Sequence, residues 1–254
     1  MDEIKFQTNQ GLATITLNRP AQINALSESL LTELSKQLAR CAVDPAIRVV
    51  IIASAGAHFC AGHDLAQMNA DPSLLHYQRL FALCSKVMLQ IQQLPQPVIA
   101  RVDGTATAAG CQLVAQCDLA VASSRSKFAV SGVNLGLFCS TPSVALSRNV
   151  GRKQAFEMLV TGAFIDANTA LARGLVNQVV DQSALDQAIQ SLGASIINKP
   201  AKAIALGKQL FYKQHELGLA AAYQLAGQTM ACNMMQADAQ EGVQAFLDKR
   251  PPIW

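Results

Sequence analysis

Two short apolar runs constrain this chain most: Val49-Val50-Ile51-Ile52-Ala53 and Val98-Ile99-Ala100-Arg101-Val102. Each leads directly into a stretch of glycine and other small residues. Uninterrupted runs of this length read as strands buried on both faces, the pattern of a mostly parallel sheet covered by helices. Leu12-Ala13-Thr14-Ile15-Thr16-Leu17 alternates apolar and polar residues, as a half-buried strand does, and Asn18-Arg19-Pro20 ends it. Leu26, Leu30, Leu34 and Leu38 then recur every four residues, with Leu31 widening the stripe, and Asp44-Pro45 closes the helix they predict. Leu119-Ala120-Val121-Ala122 and Phe128-Ala129-Val130 are shorter strand candidates. Strands interleaved with helices place the chain in the α/β class.

The pattern changes after about residue 140. Residues 142–149, 153–160 and 168–173 read as short helices separated by Gly151, Gly162 and Gly174. From Ser183 the sequence is almost entirely helical, broken at Lys199-Pro200 and ending at Pro251-Pro252. Residues 201–248, rich in Ala, Leu, Gln and Met, carry apolar side chains on more than one side. A buried helix pair or an oligomer surface has that pattern, and the second is favoured because a C-terminal appendage has little core of its own. The division expected is a core over 1–195 and a helical region over 196–254.

Several function classes are disfavoured. Of the 254 residues 51% are apolar and only 15% charged, too apolar for disorder, and the sparse charge suggests surface covered by another subunit. A net charge of +3 with no Lys/Arg cluster gives no footprint for nucleic acid. No apolar run approaches the length of a membrane span, and the start Met1-Asp2-Glu3-Ile4-Lys5 resembles neither a secretory signal nor an Arg-rich transit peptide. Seven scattered cysteines without C-x-x-C spacing indicate neither zinc nor a disulfide framework. Together these point to a reducing, cytoplasmic location with no metal. Neither G-x-G-x-x-G nor G-x-x-x-x-G-K-[ST] occurs, so a dinucleotide or P-loop site is not supported.

The chemistry is concentrated in the two turns. Ala57-His58-Phe59-Cys60-Ala61-Gly62-His63-Asp64-Leu65 follows the first apolar run, and Asp103-Gly104-Thr105-Ala106-Thr107-Ala108-Ala109-Gly110-Cys111-Gln112-Leu113 follows the second. The latter runs from a Gly turn into a helix beginning near Ala109, whose first N–H groups are unpaired and sit at the positive end of the helix dipole. One small-residue turn is commonly only a tight corner. Two, after neighbouring strands, can each direct one N–H at a single carbonyl oxygen, the geometry that stabilises an enolate or tetrahedral anion.

The ordered motifs Leu17-Asn18-Arg19-Pro20, Asn24-Ala25-Leu26, Phe59-Cys60-Ala61-Gly62-His63-Asp64-Leu65 and Ala108-Ala109-Gly110-Cys111-Gln112-Leu113 with Cys117-Asp118 run through the chain. Val133-Asn134-Leu135-Gly136, Leu159-Val160-Thr161-Gly162 and Gly174-Leu175-Val176 continue the set. It resembles the enoyl-CoA hydratase/isomerase (crotonase) superfamily over essentially its whole length. Residues 106–115 and 136–142 look closest to the subgroup called enoyl-CoA hydratase domain-containing protein 3. The resemblance implies a crotonase spiral of β-β-α units with a C-terminal helical trimerisation region, and a homotrimer or dimer of trimers. It also implies an acyl-CoA thioester as ligand, with coenzyme A as part of the substrate and no other cofactor. By position, the oxyanion-hole amides belong to His63 and Ala109. Ala61, Gly62, His63, Asp64 and Leu65 line the adenine and pantetheine path, with Ala109 and Gly110 beside the thioester.

The resemblance also marks a departure. Family hydratases use two glutamates, where this chain has Gln112 and Gly132. An amide can hold water but does not titrate near neutrality, and glycine has no side chain. Loss of one positioned base costs about a hundred- to ten-thousand-fold in rate, so ordinary hydration is not expected. Asp64, Asp103 and Glu157 are the substitute carboxylates to consider, each with structural service as the simpler reading. The decarboxylase members share the Gly-His-Asp and Val-Asn-Leu-Gly pattern, which makes methylmalonyl-type decarboxylation using His63 the alternative, and a non-catalytic acyl-CoA-binding regulatory protein a third. Ser131 and Cys139 fall near the acyl group by position, with packing the simpler role for both. Lys208 and Lys213 are expected to meet CoA phosphates or to form a solvated helix face. Met230, Met234 and Met235 are expected at a subunit interface.

Overall fold

A computed structural model describes residues 2–254. In chain order its elements are β1 (Ile4–Asn9), β2 (Leu12–Leu17), α1 (Glu28–Val43), β3 (Val49–Ser54), α2 (Leu65–Ala70), α3 (Leu74–Gln93), β4 (Val98–Val102), β5 (Thr105–Thr107) and α4 (Ala109–Gln116). There follow β6 (Leu119–Ser123), β7 (Lys127–Ala129), α5 (Ser140–Asn149), α6 (Arg152–Thr161), β8 (Ile165–Asp166), α7 (Ala167–Ala172) and β9 (Gln178–Val180). The chain ends with α8 (Leu185–Ile197), α9 (Ala201–Gln214), α10 (Leu219–Met234) and α11 (Ala237–Leu247). Among the described residues no helix is long and apolar enough to cross a membrane.

Six strands form one sheet in the order β1-β2-β3-β4-β6-β9, parallel except for the β1–β2 hairpin. β3 lies inside it, and its period-2 alternation feeds two cores. Val50 and Ile52 pack with the leucines of α1 and with Cys84, Val87 and Ile91 of α3. Val49, Ile51 and Ala53 face the other way, where Leu185 and Ile189 of α8 cover them. Four fully buried leucines of α1 (Leu30, Leu31, Leu34 and Leu38) each contribute about 2 kcal/mol of transfer free energy. Ser27 caps this helix, its Oγ accepting the Leu30 N–H at 3.1 Å.

One expectation changes here. Leu26, assigned to the leucine stripe, precedes α1 and pairs as a bridge with His63. Residues 66–80 fold mostly into α2 and the start of α3, with Asp64 and Ser73 as N-caps.

β5, β7 and β8 form a second, small sheet beside the first. The turns after β3 and β4 therefore leave the same carboxyl end of adjacent parallel strands, where open α/β sheets present their ligand sites.

Candidate active site

The two turns run side by side as parallel chain. Phe59 and Cys60 N–H donate to the Thr105 carbonyl at 2.9 and 3.0 Å, and Thr107 N–H donates to the Cys60 carbonyl at 2.9 Å. Glycine permits this approach. A Cβ on Gly104 would fall 2.1 Å from the Ala57 carbonyl oxygen, and one on Gly110 would fall 2.2 Å from that of Cys60. Gly62 lies against the start of α4, since its Cβ position is 3.1 Å from Ala109 N. The amides of His63 and Ala109 are thus brought to neighbouring positions. Neither has an acceptor among the described residues, although Leu26 N–H donates to the Gly62 carbonyl and Asp64 N–H to that of Leu26.

Ala108, between β5 and α4, has φ +49° and ψ −122°, a region that costs a residue with a Cβ about 1–3 kcal/mol. Its own N–H donates to the Ala129 carbonyl at 3.0 Å, so β7 holds the strained turn in place. The first turn is fixed from below by Asn24. This fully buried residue donates from Nδ2 to the carbonyls of Ala55 and His58 and accepts the Arg19 N–H on Oδ1.

The His63 ring packs edge-on against Phe81 at 5.3 Å, and both its nitrogens are buried without partners. Desolvation pulls its pKa to about 4, so the imidazole is neutral at neutral pH. Gln112 is buried in α4, one helical turn beyond Ala109, and its Oε1 has no donor. Gly132 is closed off, since a Cβ there would lie 2.4 Å from the Leu137 carbonyl oxygen and 2.8 Å from Cys139 Sγ. A side chain at this position needs the 131–139 loop rebuilt. Cys139 Sγ instead accepts the Gly132 N–H at 3.3 Å, and burial pushes the thiol pKa up, which disfavours its nucleophilic thiolate. Ser131 Oγ pairs with Thr107 Oγ1 at 2.8 Å.

The substitute carboxylates are all engaged. Asp64 pairs with Arg19 at 3.0 Å while capping α2, Asp103 is held by Arg125, Ser123 and Gln182, and Glu157 pairs with Arg173 at 2.9 Å. Ala61 and Leu65 flank the His63 turn, with Leu65 exposed. Lys208 corrects the sequence reading, being neither on a solvated face nor free for a phosphate. Only 7% exposed, it donates to the carbonyls of Ile91 and Gln96 and to Asp118 Oδ2. Lys213 is exposed.

Sequence reasoning overlooked Leu26, whose pairing shapes the His63 turn, and the cavity of about 600 Å³ that Gln112 lines with residues of α3, α5 and α9. The motif Asn24-Ala25-Leu26 was a usable signal for the first; no local signal exists for the second.

Comparison with known proteins bears on the site as a whole. A family model described as Enoyl-CoA hydratase/isomerase matches residues 7–254. The chain is 46% identical over 249 residues to the mitochondrial enoyl-CoA hydratase domain-containing protein 3 of Xenopus laevis, covering 98% of this chain and 85% of that protein. The human protein of that name, also mitochondrial, is 45% identical over 96% of this chain and 80% of its own length. The crystal structure of an enoyl-CoA hydratase from Mycobacterium smegmatis superposes with a TM-score of 0.99 at 56% identity, covering 100% of this chain and 99% of that one. That of human enoyl Coenzyme A hydratase domain-containing protein 3 gives 0.97 at 43%, covering 100% of both chains. The cytoplasmic location expected from the cysteines and the first residues is corrected by the vertebrate relatives, which are mitochondrial by name.

Proposed function

The chain belongs to the enoyl-CoA hydratase/isomerase family, and from that premise we propose that it binds an acyl-CoA thioester and holds the thioester oxygen on the His63 and Ala109 amides. The observation that carries this reading is the pair of open N–H groups set side by side by the parallel turns. Such donors act on negative charge as it develops on the oxygen, and removing one typically costs about a hundred- to thousandfold in rate.

Hydration asks for more. One group must deprotonate water and another must deliver a proton to the α-carbon. Gln112 is an amide, the space at Gly132 is shut, and the nearby carboxylates are bound to arginines. The site supports enolate stabilisation without the acid/base pair, so hydration of crotonyl-CoA is expected at least about a hundredfold below that of a two-glutamate hydratase. Decarboxylation needs no base, and there His63 would meet a substrate carboxylate as a hydrogen-bond donor, since burial of its ring lowers its pKa to about 4. A panel of enoyl-, hydroxyacyl- and methylmalonyl-CoA separates these readings from binding without turnover.

The binding geometry is tested by ¹⁵N-labelled protein titrated with acyl-CoA. The amide resonances of His63 and Ala109 are expected to move most. Binding that leaves both unmoved would sink the proposal.

A further inference from the structure

Residues 23–26 run beside residues 61–64. Ala61 N–H donates to the Ile23 carbonyl at 3.0 Å, Leu26 N–H to the Gly62 carbonyl at 2.8 Å, and Asp64 N–H to the Leu26 carbonyl at 3.2 Å. The middle bond sets the direction of the His63 amide. The Gly62 carbonyl and the His63 N–H belong to one planar trans peptide, so they point opposite ways. Holding that carbonyl on Leu26 turns the N–H away from residues 23–26, to the side where nothing accepts it among the described residues. Local preference does not secure this orientation, because Gly62, at φ +97°, leaves its peptide freer to turn over than any residue with a Cβ would.

One guanidinium clamps the two segments. Arg19, with 16% of its side chain exposed, donates from Nη1 to the Ala25 carbonyl at 2.7 Å and from Nη2 to Asp64 Oδ2 at 3.0 Å. Ala25 directly precedes Leu26, and Asp64 directly follows His63. The other oxygen of Asp64 accepts the Gln67 N–H at 3.2 Å, which fixes that end of the clamp to α2. A planar, always-charged fork suits two acceptors on different segments, whereas an ammonium is a single point of charge. The third contact of Arg19, from Nε to Glu3 Oε1 at 3.1 Å, leads to neither segment. We propose that Arg19 is a positioning residue for the thioester site: by tying Ala25 to Asp64 it keeps Leu26 on the Gly62 carbonyl and the His63 N–H aimed at the acyl oxygen. The inference rests on the thioester reading above. Without the clamp the Gly62–His63 peptide turns freely and one donor is lost, while the Ala109 amide keeps its place on α4.

The test is calorimetric titration with hexanoyl-CoA and with S-hexyl-CoA, a thioether that lacks the carbonyl. The wild type is expected to prefer the thioester by roughly ten- to hundredfold, and Arg19→Gln and Asp64→Ser to lose about three- to tenfold of that preference. Glu3→Gln, which alters the third contact alone, should keep it. Infrared spectra of hexanoyl-CoA labelled with ¹³C at the carbonyl give a second readout that loosened packing elsewhere does not move. Binding should lower the carbonyl stretch less in Arg19→Gln and Asp64→Ser than in the wild type. Should Arg19→Gln not fold, Asp64→Ser decides, since serine still caps a helix but is too short to reach the guanidinium. A wild-type preference and stretch retained in the folded variants, or lost equally in Glu3→Gln, would overturn this inference and leave the thioester reading intact. No preference in the wild type would overturn both.

Discussion

Both ring nitrogens of His63 are sealed from water without a partner, and that sets a pH dependence. With the folded-state pKa near 4 against an ordinary 6.5, the unfolded chain takes up the proton first as pH falls. The stability is therefore complete above about pH 6.5 and is lost as pH falls towards about 4, by on the order of 3 kcal/mol. Urea unfolding followed from about pH 7 to pH 4 should show this slope in the wild type and a flatter one in His63→Gln. Equal slopes would place the ring in water. At the same scale, Gly132 shows why its residue type alone misleads. Its sequence reads as a missing carboxylate, but its surroundings show a backbone packed so closely that a carboxylate no longer fits.

Helix α9 is fastened to the sheet by one charged cluster. Lys208 and Tyr212, one turn apart, both donate to Asp118, which also accepts the Val98 N–H at the head of β4. Replacing Lys208 by Met leaves the Asp118 carboxylate buried without its cation, and a loss of about 3–5 kcal/mol is expected in chemical unfolding. Adding Asp118→Asn should recover part of it. A loss below about 1 kcal/mol would mean that the pair is solvated as surface pairs are. Because Phe211 and Tyr212 of α9 also wall the cavity that Gln112 lines, the same anchor holds one side of that cavity.

Over the whole molecule, the C-terminal helices are short of core. Only Ala222 of α10 and Ala245 of α11 are buried, whereas Leu219, Tyr223, Met230, Met235 and Phe246 are exposed, the last at 82%. Apolar surface of this extent marks an interface, and the proposed partner is a second copy of the chain. Light scattering at micromolar concentration should report an oligomer that Phe246→Glu with Met235→Glu dissociates; a wild-type monomer would reject this. The sequence by itself determined the buried parallel strands, the glycine turns after them and the family, because each is a matter of local residue pattern. It also identified His63, Ala109, Gln112 and Gly132 as the positions to inspect. Only the tertiary structure decided that Leu26 pairs with His63, that Lys208 is buried on Asp118, that Gly132 is sealed and that Gln112 faces a cavity. Each of these depends on segments far apart in the chain meeting in space, and burial, pKa and free volume arise from those meetings.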